Sequence, residues 1–256
     1  MRLRFLAAAL AVFLPVVVLA QTMPAGSVPP KTWVDKDTGH RVWRLSNEAN
    51  SGGFYFNVNA YTPDEKQMID TAPDGIHVLD LATRKTKLLV PNPPGVEGGP
   101  YAVRALVVGH KTNSVFYTKT DPATHMTAVY KANTDTGAVR KLLDLPAKRM
   151  IVSVNADETL AAGTYIVGDA TGKEYGSNLP TSTQPHGASD NKVASAAQGP
   201  HYQPMNKGLM MERRLAARLP LVLFTIRLEP GPHGEKVGTE KILLHSTDWV
   251  NHLLFS

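Results

Sequence analysis

Between Phe54 and Val90, apolar and polar residues alternate in short runs separated by turn-forming residues. Phe54-Tyr55-Phe56-Asn57-Val58-Asn59-Ala60-Tyr61 reads as a strand at period two. Thr62-Pro63-Asp64-Glu65 follows as a turn, because proline presets φ and aspartate bonds back to the backbone. Gln67 to Ala72 is a second expected strand, Pro73-Asp74-Gly75 a second turn, and Ile76 to Leu81 a third strand. Ala82-Thr83-Arg84-Lys85 then reverses the chain into Thr86 to Val90. Four short antiparallel strands joined this way predict one blade of a β-propeller, an all-β fold.

The unit recurs. Ala102 to Val108, Ser114 to Lys119, Thr127 to Ala132 and Val139 to Leu143 form a second set, with turns at Lys111-Thr112-Asn113 and Asn133 to Gly137. The hairpins Asp80…Thr83…Leu88-Leu89 and Asn133…Thr136…Leu142-Leu143 share spacing as well as composition. A third unit runs from Met150 to Val154, turns at Asn155-Ala156-Asp157-Glu158, and continues to Val167. It is interrupted by a polar insertion, 168–218, whose last part, Gly208 to Arg218, reads as a short amphipathic helix. Strand pattern resumes at Leu221 to Leu228 and closes with Lys241 to Leu244. Trp249 to Ser256 is expected to open a fourth unit. Three blades and one strand leave sheet edges open, so the expectation is an incomplete propeller, truncated at its C-terminus.

Composition changes this picture in two places. Arg2 and Arg4, the apolar run Phe5 to Val18 and the small-residue ending Val18-Leu19-Ala20 read as a signal peptide, 1–20. Residues 21–256 are then the partial propeller domain, exported to a bacterial periplasm or secreted, with no membrane attachment after cleavage. The chain has 256 residues and no cysteine, which excludes disulfides, thiolate metal sites and a cysteine nucleophile. The net charge of +5 is mild, and no Lys/Arg run suggests a nucleic-acid partner.

Several segments resemble the oligogalacturonate lyase family of seven-bladed propellers. The entry stretch Trp33 to Ser46 is similar to that family's opening strand, and Phe54-Tyr55-Phe56 through Thr62-Pro63-Asp64 to its first full blade. The run from Gly208 into Leu228 has a counterpart there. His245-Ser246-Thr247-Asp248-Trp249-Val250-Asn251-His252 resembles the strand that bears its first metal-binding histidine. The resemblance implies β-elimination on acidic (galacturonate) oligosaccharides in pectin breakdown. A base removes the proton at C5, α to the carboxylate, and the C4 oxygen leaves. The enolate charge calls for a metal or an arginine. The family uses manganese, held by several histidines and a glutamine, and a histidine base.

Carried over residue by residue, His252 stands where the first manganese ligand does. The position of the base histidine reads Met210-Met211-Glu212-Arg213, so Glu212 or a displaced His201 is the candidate base, with Arg213 as a carboxylate clamp alongside Arg214 and Arg218. The other ligands would lie beyond Ser256, and the truncated chain is expected to be inactive or nearly so. Plainer roles stay open. His252 alternates with Val250 and Leu254 and fits a core histidine, His245 a surface residue, and the arginines a solvated helix face. His186 and His201 sit in a polar loop, and Trp33, Trp43 and Trp249 suit blade packing. The alternative function is a non-catalytic, TolB-like periplasmic propeller that acts as a binding platform. A peptidase propeller is disfavoured because no G-x-S-x-G elbow occurs.

Overall fold

The computed structural model describes residues 30–46, 50–168, 215–248, 250 and 252–255. Two units are distinguished, Met1–Arg44 and Leu45–Ser256. In the first, β1 (Thr32–Val34) pairs antiparallel with β2 (Arg41–Trp43). A single opening strand is expected from the sequence, but the chain doubles back. Asp35 Oδ1 accepts the amide and hydroxyl of Thr38, both at 2.8 Å, and Gly39 takes φ 72°. Trp33 and Trp43 are exposed here, not packed in a core.

The second unit is built from three antiparallel meanders, the blades of a β-propeller. One sheet holds β3 (Gln67–Ala72), β4 (Gly75–Asp80) and β5 (Lys85–Pro91). The next holds β6 (Arg104–Val108), β7 (Ser114–Thr120), β8 (Thr127–Asn133) and β9 (Val139–Asp144). The third holds β10 (Met150–Val154), β11 (Leu160–Ile166), β12 (Leu221–Arg227) and β13 (Glu240–Ser246). In each sheet neighbours in sequence are neighbours in space. The insertion between β11 and β12 does not disturb their pairing, which runs unbroken from Leu160↔Arg227 to Ile166↔Leu221.

A repeated turn explains why the strands reverse where they do. In Asp80-Leu81-Ala82-Thr83, Asp121-Pro122-Ala123-Thr124 and Asn133-Thr134-Asp135-Thr136, the first side chain accepts the amide of the fourth residue at 2.7, 2.9 and 2.8 Å. The residue that follows takes positive φ each time: Arg84 57°, His125 58° and Gly137 75°. This is the Asx-turn chemistry that lets a short polar side chain replace a backbone partner. Gly75 is needed for another reason. Its φ is 148°, and a Cβ there would lie 2.1 Å from the Val90 carbonyl oxygen.

Alternation sorts the side chains into two cores between sheets. Ile69, Ile76, Val78 and Val90 of the first sheet meet Val108, Val115, Tyr117 and Ala132 of the second. Leu106, Phe116, Val129 and Leu143 of the second meet Ile151, Val154, Ala161, Phe224 and Ile226 of the third. Face-to-face packing of successive sheets is what a radial stack of blades requires.

Two expected strands do not form among the described residues. Phe54 to Tyr61 makes only isolated bridges at its flanks, Gly52↔Thr71 and Tyr61↔Met68, and turns where Val58 N bonds Tyr55 O at 2.9 Å. Asn59 explains part of this, since its Oδ1 captures the Tyr61 amide at 3.0 Å. Phe56 is left exposed. Near the C-terminus, residues 250 and 252–255 are irregular, and His252 has φ 60°, incompatible with a continuous strand. Of the expected helix, residues 215–217 are helical and 208–214 lie outside the described residues. The signal-peptide segment also lies outside them. No helix among the described residues is long and apolar enough to cross a membrane.

Candidate functional site

The three sheets have two ends of different chemistry. At the turn end, where inner segments finish (Thr62, Gly109, Asn155), polar groups of adjacent sheets are tied to one another. Asn113 Nδ2 donates to both Asp64 Oδ2 and Asp135 Oδ2 at 3.1 Å, and Gln67 Nε2 donates to Asp135 Oδ1 at 3.1 Å. The Thr62 hydroxyl, 2.7 Å from Asp64 Oδ1, is the main cause holding that carboxyl at about 2. Glu158 reaches from the third sheet into the second and accepts the Lys111 and Thr112 amides at 2.8 and 2.9 Å. It also takes the Thr112 hydroxyl and Lys131 Nζ, both at 2.7 Å. Burial raises the Glu158 pKa, but these four bonds outweigh it and leave the carboxyl below its ordinary value.

A shallow cleft of about 240 Å³ lies at this end, lined by Thr112, Ser114, Lys131, Asn133, Ala138 and Arg140. Its two cations are already used, Lys131 by Glu158 and Arg140 by Glu229. A ligand would have to displace these pairs. The cleft is a seam between blades.

The entry end, where the inner strands begin, is different. Ile166, Leu221 and Ser246 are aligned across the third sheet by register, so the insertion and the segment leading to His252 both leave from this end. There Tyr55 and His252 stack, with ring centroids 5.3 Å apart and planes within 4°. Phe56 lies against Tyr55 at 4.6 Å. Both aromatics and His252 are exposed. The stack joins the segment that precedes the first sheet to the one that follows the third. His252 is therefore a presented side chain, not the core histidine its alternation with Val250 and Leu254 allowed.

Arg104 is the residue sequence reading missed. It is the first residue of β6, the innermost strand of the second sheet, and pairs with Thr118 of β7. Its side chain stays exposed, yet crowding by protein atoms lowers its pKa through desolvation. Its guanidinium makes no hydrogen bond or ion pair among the described residues. The other described arginines of this unit are engaged: Arg140 with Glu229, Arg149 with Glu240, Arg218 with Asp248, Arg227 with the Glu229 carbonyl, and Arg84 with a partner of its own. A sequence signal existed, since Arg104 is a charged residue opening an otherwise apolar inner strand.

The remaining expectations divide. His201, Glu212 and Arg213, with His186 and Arg214, lie outside the described residues, as does Trp249. Arg218 is paired with Asp248, and His245 sits exposed on β13. His77, unremarked in the sequence, is buried with Nε2 2.7 Å from Asp74 Oδ1 and ties β4 to its turn. Among the described residues no three of His, Asp or Glu come together as a metal cluster. His252 stacks on the Tyr55 ring and joins no such cluster among the described residues. The described residues do not by themselves fit manganese.

No protein-family model and no curated protein matches the chain. Among solved structures it is similar to an oligogalacturonate lyase in complex with manganese, at TM-score 0.55 and 16% identity. It is similar also to the oligogalacturonate lyase from Vibrio parahaemolyticus, at TM-score 0.55 and 17% identity. Each likeness covers 87% of this chain and 48% of the other, so the chain spans about half the length of the structures it matches. At such identity the likeness establishes the propeller fold.

Proposed function

We propose that this chain is an oligogalacturonate lyase-like propeller that takes short acidic oligosaccharides at the entry end of its sheets. The observation that carries the reading is His252. The D-W-x-x-H element ends in an imidazole presented on the Tyr55 ring, on a fold shared with two oligogalacturonate lyases. The chemistry suits the place. An aromatic face accepts the C–H edge of a pyranose, and an exposed imidazole serves as a ligand or hydrogen-bond partner near neutral pH.

β-Elimination, with manganese where a full ligand set exists, is the activity proposed for the whole enzyme. Its base would come from the insertion, at His201 or Glu212, with Arg213 beside it. Removal of the C5 proton places charge on the carboxylate, and a fixed cation lowers the cost of that charge. Residues 1–20 as an export signal, 21–256 as the propeller domain and a periplasmic or secreted location complete the reading.

The test is calorimetric titration of the chain with tri-galacturonate and with a neutral trisaccharide of the same length. Heat of binding for the acidic ligand alone supports the reading. Absence of binding, or equal binding of both, contradicts it and favours a platform with another ligand.

A further inference from the structure

We propose that Arg104 is the carboxylate anchor of this site, the residue that makes it select acidic over neutral sugars. This rests on the acidic-oligosaccharide reading above and deepens it.

Three observations converge on Arg104. The first is position. As the first residue of an innermost strand it stands at the entry end, at the inner edge of the second sheet. In a propeller the inner strands border the axial channel. Register puts it in one row with Thr118, Val129 and Leu143, on the face that packs against the third sheet. The guanidinium therefore crowns the apolar seam between the two sheets.

The second is its lack of commitment. Arginines on this framework are consumed by glutamate, aspartate or backbone carbonyls, whereas Arg104 has no such partner among the described residues. The third is surroundings. Neighbouring protein atoms lower its pKa although the side chain is exposed, and an arginine still stays charged. An exposed cation without an internal anion is free to pair with an incoming one. The planar fork matches a carboxylate in two hydrogen bonds, which a lysine cannot reproduce.

The arrangement divides the labour of recognition. The Tyr55–Phe56 surface takes the apolar face of a ring, and Arg104 takes the charge. Arg213, in the insertion, is not needed for this role.

The experiment measures dissociation constants of the full chain, and of Arg104→Met and Arg104→Lys, for tri-galacturonate and for its neutral methyl ester. Urea midpoints confirm that each variant is folded. Arg104→Met is expected to weaken tri-galacturonate binding by roughly tenfold to a hundredfold, the size of a charged hydrogen-bond pair. Affinity for the ester is expected to stay unchanged, and Arg104→Lys to fall between. Unchanged acid binding in Arg104→Met overturns the assignment and leaves the proposed function standing. Equal weakening for acid and ester also overturns it, because that marks a structural role. Failure of the unmodified chain to bind tri-galacturonate overturns both.

Discussion

Tyr55 and His252 lie ring over ring, 5.3 Å between centroids and 4° from parallel, although they stand 197 positions apart in the sequence. Such offset stacking is worth roughly 0.5–1.5 kcal/mol beyond area burial, enough to bias where the imidazole points. Ring-current shielding follows from the geometry. In Tyr55→Ala the His252 imidazole proton resonances are expected to move downfield, while those of His245, on β13, stay in place. Unmoved His252 resonances would mean that the stack is not populated in solution.

Glu158 and the Arg140–Glu229 pair both link the second and third sheets, but their burial differs. The Glu158 side chain is 6% exposed, against 56% for Arg140 and 34% for Glu229. Removing Glu158 leaves Lys131 and two amides without their acceptor. Glu158→Ala is expected to cost about 3 kcal/mol or more, and Arg140→Ala less than about 1 kcal/mol. Urea denaturation measures both. Equal effects would refute a buried latch at the turn end.

Acid should loosen the same end. The Asp64 carboxyl is held at about 2, against an ordinary 3.8. Asp80, in the turn that follows β4 at this end, is lowered by hydrogen bonds from Thr83, and Glu158 is also lowered. A carboxyl depressed in the folded state contributes stability above its unfolded pKa and loses it as pH falls through the folded one. The urea midpoint is therefore expected to be level above pH ~5 and to fall between ~4 and ~2. A midpoint that rises as pH drops through this window would contradict these assignments.

Core packing provides a fourth check. Phe224 is fully buried where the second and third sheets meet, and Phe224→Ala is expected to cost about 3–5 kcal/mol. Gly163 faces the same aromatic ring. A Cβ there would sit 2.2 Å from the Met150 carbonyl oxygen and 3.0 Å from Phe224 Cζ. Gly163→Ala is expected to cost about 1–3 kcal/mol by pushing β10 away. Denaturant midpoints that do not move would place this interface elsewhere.

The blades were legible because their signal is local. Alternation in Ser114 to Lys119 and the Asp80-x-x-Thr83 spacing each act within one hairpin; the strand forms one residue longer, to Thr120, and the turn forms as read. Phe54 to Tyr61 misled for the converse reason. It has the alternation of a strand, but Asn59 offers the backbone a competing bond two residues on, which the alternation itself does not report. The Trp33 to Ser46 stretch hides its reversal at Asp35, although the same D-x-x-T spacing marks it. His252 was found through resemblance. Arg104 was missed because its significance lies in what does not reach it, and only the arrangement of three sheets reveals that.

Mapping tri-galacturonate onto the chain by amide chemical-shift changes tests the proposed site most directly. The expected result is shifts at Tyr55, Phe56, Arg104 and His252, with the turn end around Thr112, Lys131 and Arg140 silent. Shifts confined to that seam, or no shifts at ligand concentrations that saturate an oligosaccharide site, would contradict a carbohydrate site at the entry end.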